Sequence, residues 1–180
     1  MKKQFIETFS KPALILSIGL LTLAAQAQTN KISNPLVDYE RFLAHATNIG
    51  KLRGERRVTE EQFIQMSAQP GTIVFDARSD DKYKMLHIKG ARHLSFPEIT
   101  AAELEKVFPD KSTRVLIYCN NNFLNSPVAF AAKAASASLN IHTFNTLASY
   151  GYTNVYELGP LIDIKKSKLS FEGTLVANQQ

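Results

Sequence analysis

At 180 residues with one cysteine, the chain has room for a domain of ordinary size but cannot form an internal disulfide. Its formal charge of +5 comes partly from Lys2, Lys3 and Lys11, so the rest is only mildly basic and nucleic-acid binding has no support. His45, His87, His93 and His142 are scattered, with no pair at ligand spacing and no second thiolate, which speaks against a metal site.

The N-terminal lysines precede an apolar stretch over residues 12–25, and Ala25-Gln26-Ala27 follows as a small-x-small pattern. Residues 1–27 read as a secretory signal peptide cleaved after Ala27. The rival is an uncleaved anchor, but residues 13–25 are short for a bilayer-spanning helix. No cysteine lies near the cleavage position, so a lipoprotein signal is excluded. The expectation is a periplasmic or secreted protein with no stable membrane insertion after cleavage, its lone thiol facing an oxidising compartment.

Residues 28–57 read as an N-terminal helical arm. Asn34-Pro35 marks a turn. Phe42, Ala46 and Ile49 recur at helical spacing over residues 39–49, with Gly50 and Gly54 as the end. The arm's apolar face is expected to dock on the domain rather than on a partner. The run Lys51-Leu52-Arg53-Gly54-Glu55-Arg56-Arg57 reads as a solvated helix end rather than a binding patch.

The main domain is expected over residues 58–180. Thr59 caps a helix with Glu60 and Glu61 in its first turn, stopped by Pro70-Gly71. Thr72-Ile73-Val74-Phe75 is a buried strand that ends in Asp76-Ala77-Arg78-Ser79, and Ser79 caps a short helix through Tyr83 to Leu86. Residues 87–90 read as a turn, 91–94 as a short strand and 98–107 as a helix. Arg114-Val115-Leu116-Ile117-Tyr118 is a second buried strand.

Two helices are expected in the segment that follows: an alanine-rich one from Ser126 to about Ala137, and a second over residues 139–150 with Ile141, Phe144 and Leu147 on one face and Gly151 at its end. Residues 154–158 form a last strand, broken by Gly159-Pro160, and the polar tail from Lys165 is expected to fray. Strands alternating with helices at this spacing predict an α/β domain with a mostly parallel sheet.

Cys119 carries the chemistry. It sits where the strand at 114–118 empties into Asn120-Asn121-Asn122-Phe123, and in an open α/β sheet ligands bind beyond the carboxyl ends of the strands. A thiol there acts as a nucleophile if amides or charges lower its pKa. The competing reading is a small hydrophobe of the core.

The order of Asp76-Ala77-Arg78-Ser79, Asp81, Tyr83, His87-Ile88 and Gly90-Ala91, then a strand ending in Cys119, then Gly151-Tyr152-Thr153-Asn154-Val155, resembles the rhodanese domain family. In that family a D-V-R-S…E-[YF]…G-H-I-P-G-A pattern precedes the active cysteine and G-[FY]-x-N-V follows it. The resemblance covers about residues 58–164. It implies a doubly wound, mostly parallel sheet with helices on both faces, and a cysteine that carries sulfane sulfur as a persulfide. The reaction it implies is sulfur transfer from a small donor to a thiophilic acceptor, a protein thiol among them, with no cofactor.

In that reading Cys119 is the nucleophile. Asn120, Asn121, Asn122 and Phe123 line the substrate, the asparagines supplying an amide nest because they tolerate left-handed backbone. Lys133, the first cation after the cysteine, is the charge partner. Asp76, Arg78, Asp81 and His87 are support residues, with Arg78 pairing with Asp81 and His87 ordering a turn. Leu86 stands where the family has glycine and Lys89 where proline is common.

The main departure follows Cys119. Sulfurtransferase members carry C-x-x-G-x-R, whereas residues 120–125 contain neither glycine nor arginine. A phosphatase reading from C-x5-R fails for the same reason. Thiosulfate recognition is expected to be weak, because a dianion needs a guanidinium or several converging donors. An inactive binding or regulatory module is therefore the alternative to a sulfurtransferase. The stretch from Cys119 to Gly151 also exceeds the family spacing by roughly a helix. The preferred alignment inserts it before Ser138, and the other inserts it after a helix starting at Ser126.

Overall fold

Two short β-branched runs of alternating large side chains organise the whole domain. The computed structural model describes Ile32 and residues 34–177, so the signal-peptide reading of residues 1–27 lies outside the described residues. Asn34 accepts the Leu36 amide at 3.0 Å and closes the expected turn. A compact unit begins at Val37.

Helix α1 spans Tyr39–Glu55, and the Asp38 carboxylate caps it by accepting the Arg41 amide at 2.8 Å. It does not end at Gly50. An interior glycine costs about 1 kcal/mol, and packing of Ile49 and Leu52 against the core outweighs that. Nor is the basic run a solvated helix end. Arg53 reaches the buried Glu157 at 2.7 Å, Arg57 approaches the same carboxylate at 3.5 Å, and Arg56 lies over the Tyr156 ring. Arg57–Val58 is itself a strand, β1.

Helix α2, Glu60–Ser67, starts in a capping box in which Thr59 and Gln62 satisfy each other's amides. Strand β2 is Thr72–Asp76, helix α3 is Asp80–Met85, and β3 and β4 are His87–Ile88 and Arg92–His93. The helix expected from Glu98 is split. A single 3-10 turn, Phe96–Glu98, precedes α4, Ala101–Val107, because Thr100 caps the latter through the Glu103 amide at 3.2 Å.

Strand β5 is Arg114–Tyr118, β6 is Phe123–Leu124, α5 is Leu139–Ser149 and β7 is Val155–Leu158. Gly151 at φ 88° takes the left-handed position that ends α5. The alanine-rich helix starting at Ser126 does not form. Only a single turn forms there, over residues 127–129, closed by the Phe130 amide donating to Ser126 O at 2.8 Å; residues 131–134 carry no regular structure, and one 3-10 turn at Ala135–Ala137 precedes α5. The insertion therefore lies between Cys119 and Ser138.

The central sheet has the order β1-β7-β5-β2-β4, and every pairing in it is parallel. Strand periodicity sends Val74, Leu116 and Tyr118 to one face, with Phe63 of α2. It sends Ile73, Phe75, Val115 and Ile117 to the other, with Leu104 of α4 and Phe144 and Leu147 of α5. Helices thus cover both faces of a parallel sheet, the doubly wound α/β architecture.

Two segments depart from expectation. His87 and Ile88 are not merely a turn but pair antiparallel with β9, Phe171–Glu172. From Lys165 through residue 177 the tail does not fray. Leu169 is buried, Phe171, Leu175 and Val176 pack on the core, and α6, Thr174–Ala177, follows. A short parallel pair, β6 with β8 (Ile162–Asp163), ties the loop after Cys119 to the chain beyond β7. Among the described residues no helix is long and apolar enough to cross a membrane.

Candidate functional site

Strand β5 occupies the middle of the sheet, so its carboxyl end opens onto the crevice where such sheets bind ligands. Cys119 is the first residue past that end, in extended backbone at φ −150°, and it caps a single 3-10 turn, Asn120–Asn122. Its Sγ accepts the Asn121 amide at 3.4 Å and lies 3.4 Å from Ser138 Oγ. Ser138 is the residue before α5, so the sulfur also faces the positive end of that helix. Cys119 is 0% exposed.

The amide nest expected from three asparagines reduces to one amide. Asn122 N–H donates to the Cys119 carbonyl at 3.2 Å instead of the sulfur. The left-handed residue of this loop is Asn125, at φ 64°; residues 120–122 take a right-handed 3-10 turn, whose amides point along the chain rather than converging.

The asparagines act through their carboxamides. Asn122 Oδ1 accepts the Cys119 amide at 2.9 Å and Asn140 Nδ2 at 3.0 Å, while its Nδ2 donates to Leu158 O at 2.7 Å and Pro160 O at 3.2 Å. One side chain thus binds the end of β5, the first turn of α5 and the end of β7. Asn121 pairs with the Lys133 backbone through two bonds, Nδ2 to Lys133 O at 2.8 Å and Lys133 N to Oδ1 at 3.0 Å. Asn120 is 7% exposed, and its Oδ1 has no partner.

Phe123, expected beside the substrate, is only 3% exposed. It turns into the core between the Tyr118, Phe130 and Phe171 rings, because β6 alternates and exposes Leu124 instead. Lys133 does not touch the sulfur. Its exposed side chain lines a cavity of about 480 Å³ together with Lys82, Asn120, Phe96 and Leu139.

The support residues assemble differently from the expected pairing. Arg78 pairs with Asp76, not with Asp81: Nη2 lies 2.6 Å from Oδ2, and Nε lies 3.0 Å from Oδ1. The remaining donors reach Leu86 O at 2.7 Å and Ala129 O at 3.0 Å, and the guanidinium lies 4.2 Å from the Phe130 ring centre. Asp81 is exposed, because its place in the first turn of α3 faces solvent. Burial lowers the Arg78 pKa, but the Asp76 carboxylate outweighs it and leaves the guanidinium above its ordinary value.

Tyr118 donates to Asp76 Oδ2 at 2.6 Å, and burial, then the Asp76 charge, push its pKa well above the ordinary phenol value. His87, in β3, bonds the chain on both sides of it. Nδ1 meets Tyr83 O at 2.7 Å and Nε2 meets Glu172 at 3.1 Å. Its ring also stacks on Tyr83, 3.7 Å between centres.

Sequence reasoning missed Ser138, Asn140 and Tyr118. Ser138 carried a signal in its place ahead of the α5 periodicity, where N-caps occur. Asn140 and Tyr118 carried none, since their partners are remote in sequence. Among the described residues, no three His, Cys, Asp or Glu side chains gather as a metal site would require.

A family model described as the rhodanese-like domain matches residues 59–159. No curated protein matches the chain. Solved structures with a similar course include the BH2092 protein from Bacillus halodurans, at 23% identity over 74% of this chain and 86% of that one, TM-score 0.46. The rhodanese-like domain of Alr3790 from Anabaena sp. is 18% identical over 68% of this chain and 82% of that one, TM-score 0.48. The thiosulfate sulfurtransferase from Pseudomonas aeruginosa is 19% identical over 73% of this chain and 23% of that one, TM-score 0.49.

Proposed function

This chain belongs to the rhodanese-like domain family, and on that premise we propose that it is an exported sulfurtransferase holding sulfane sulfur as a persulfide on Cys119. The observation that carries the reading is the setting of the thiol. It lies at the carboxyl end of the central strand, with the Asn121 amide and Ser138 hydroxyl on its sulfur and the start of α5 beyond. Donors and a helix N-terminus at those positions favour an anionic sulfur over a neutral one.

With thiosulfate, the Cys119 thiolate attacks the outer sulfur. The donor's S–S bond breaks, sulfite leaves with the electron pair, and the persulfide remains. A thiophilic acceptor then takes the outer sulfur and returns the thiolate. No cofactor enters. Ser138 and Asn121 hold the sulfur, Asn122 and Asn140 hold the backbone that carries it, and Asp76, Arg78 and His87 hold the surrounding loops. Because Cys119 is fully covered, a donor reaches it only when the loop around it opens, and the Asn121–Lys133 pair is an exposed tie between the turn after Cys119 and the segment ahead of α5.

The test is intact mass spectrometry of the reduced, folded protein after incubation with thiosulfate. One added sulfur on Cys119, discharged by cyanide as thiocyanate, is expected at low turnover, since residues 120–125 supply no guanidinium to receive a dianion. The complete cover over Cys119 favours a second reading, a binding or regulatory module. Absence of a persulfide with thiosulfate and every other sulfane donor selects that module. Export is tested separately: the mature N-terminus is expected at Gln28 in a periplasmic or secreted fraction, and a membrane-bound chain retaining residues 1–27 overturns it.

A further inference from the structure

Four separate stretches of chain meet around a second cavity, of about 320 Å³, where the C-terminal tail packs on the domain. Leu86 ends α3, Ile164 follows β8, Phe171 lies in β9, and Leu175 and Val176 lie in α6. All five belong to, or pack against, the core cluster that holds Phe63 and Leu116. Asn125 and Ser126, from the loop beyond β6, add the polar part of the wall. A hollow of this size lies at the lower end of the range for small-ligand sites, roughly 300–1,000 Å³.

The charge of the lining is one-sided. Lys165 is the charged residue among those described, and no carboxylate lines the cavity with it. The Lys165 backbone amide donates to Asp163 Oδ1 at 3.0 Å, but its exposed ammonium enters no ion pair among the described residues. Ser126 is half-buried and brings a hydroxyl that can donate. One cation and one hydroxyl beside an apolar hollow complement a single carboxylate on an apolar body. A dianion would find too few donors, and an ammonium ligand would be repelled by Lys165. A peptide would bury amides against Leu86, Phe171 and Val176 without partners. At about 30 Å³ for each water-sized group, the hollow holds roughly ten non-hydrogen atoms.

We infer that this cavity binds a small apolar monocarboxylic acid of about six to eight carbons. Lys165 and Ser126 receive the carboxylate, and Leu86, Phe171, Leu175 and Val176 surround the hydrocarbon. Cys119 is not among the lining residues, so the site stands whether or not the domain transfers sulfur. Because β9 and α6 form part of the wall, an acid held there joins the tail to the end of α3 and stabilises that docking by mass action.

The test is an NMR titration of the full chain with butyrate, hexanoate, octanoate and decanoate in low salt, with hexanol and hexylammonium as probes of charge. Expected are saturable shifts at the amides of Leu86, Lys165, Leu175 and Val176. Affinity rises roughly 3- to 4-fold per added methylene, the gain for burying each one, and levels off beyond octanoate, where the hollow is full. Lys165→Ala weakens hexanoate about 2- to 5-fold, as for an exposed ion pair, and leaves hexanol unmoved; added salt reproduces that loss. Hydrogen exchange at Phe171 and Val176 slows at saturating octanoate.

Hexanol or hexylammonium binding as tightly as hexanoate, or equal hexanoate affinity in the parent and Lys165→Ala, overturns the carboxylate. Affinity still climbing at decanoate, or no saturable shift at those four amides, overturns the cavity as the site. Lys165→Ala changes an exposed side chain, so its fold is not at stake in the comparison.

Discussion

Replacing Asn122 with alanine tests whether the loop after Cys119 is held by one carboxamide. Asn122 is 4% exposed and makes four hydrogen bonds, to Cys119 N, Asn140 Nδ2, Leu158 O and Pro160 O. Alanine leaves the Cys119 amide, the Leu158 carbonyl and the Asn140 carboxamide unpaired in the interior. At about 1 kcal/mol net for each lost bond, and more where the remaining partner stays dry, the loss is about 3–4 kcal/mol. For a domain of this size 1 kcal/mol moves Tm by roughly 3 °C, so thermal unfolding followed by circular dichroism is expected about 10 °C lower. Asn121→Ala is the control. Its pair with the Lys133 backbone is exposed, and its expected cost stays below about 1 kcal/mol. Asn140→Ala combined with Asn122→Ala is expected to be less than additive, since the two share a bond. An Asn122→Ala protein melting within about 2 °C of the parent refutes the reasoning.

Arg78→Ala removes one partner of a fully buried ion pair and orphans Leu86 O and Ala129 O; a loss of about 3–5 kcal/mol is expected in urea unfolding. Gly50→Ala adds a methyl group in open space inside α1, and a gain of about 0.5–1 kcal/mol is expected in the same assay. Leu124→Arg is expected to leave sulfur loading of Cys119 unchanged, because the residue is 48% exposed on β6, paired with Asp163, and not beside the sulfur; faster loading from thiosulfate refutes that placement. The Gly90 amide, and then His87, hold the Glu172 carboxyl below its ordinary value. Its contribution is therefore complete above the unfolded pKa of about 4.3 and disappears as pH falls through the lower folded value. Hydrogen exchange at Phe171 and Glu172 is expected to accelerate selectively in that acid window, and protection unchanged there counts against the Glu172 latch.

Local patterning made much of the domain legible. The runs at 72–76 and 114–118 are strands because β-branched and aromatic residues fill them. Thr59 starts one helix and Gly151 ends another because of what their own side chain or backbone permits. The order of the strand ending at Asp76, the strand ending at Cys119 and the strand at 155–158 carried the family. Segments whose state depends on distant partners depart from what their local sequence predicts. The 51–57 run needed Glu157, the tail needed β3, and Gly50 needed the packing of Ile49 and Leu52.

The same division holds at the site. Composition and spacing determined that a single thiol ends a buried strand and that no arginine follows it in the loop. Which groups meet that thiol was decided only by folding. Ser138 reaches the sulfur across a 19-residue separation, and Asn122 bonds Leu158 across 36. Phe123 and Arg78 likewise take their roles from the rings and carboxylate that packing brings to them. A residue's conformational preference is local, so the chain states it directly. A hydrogen bond or ion pair belongs to two residues, and only tertiary structure brings the second one within reach.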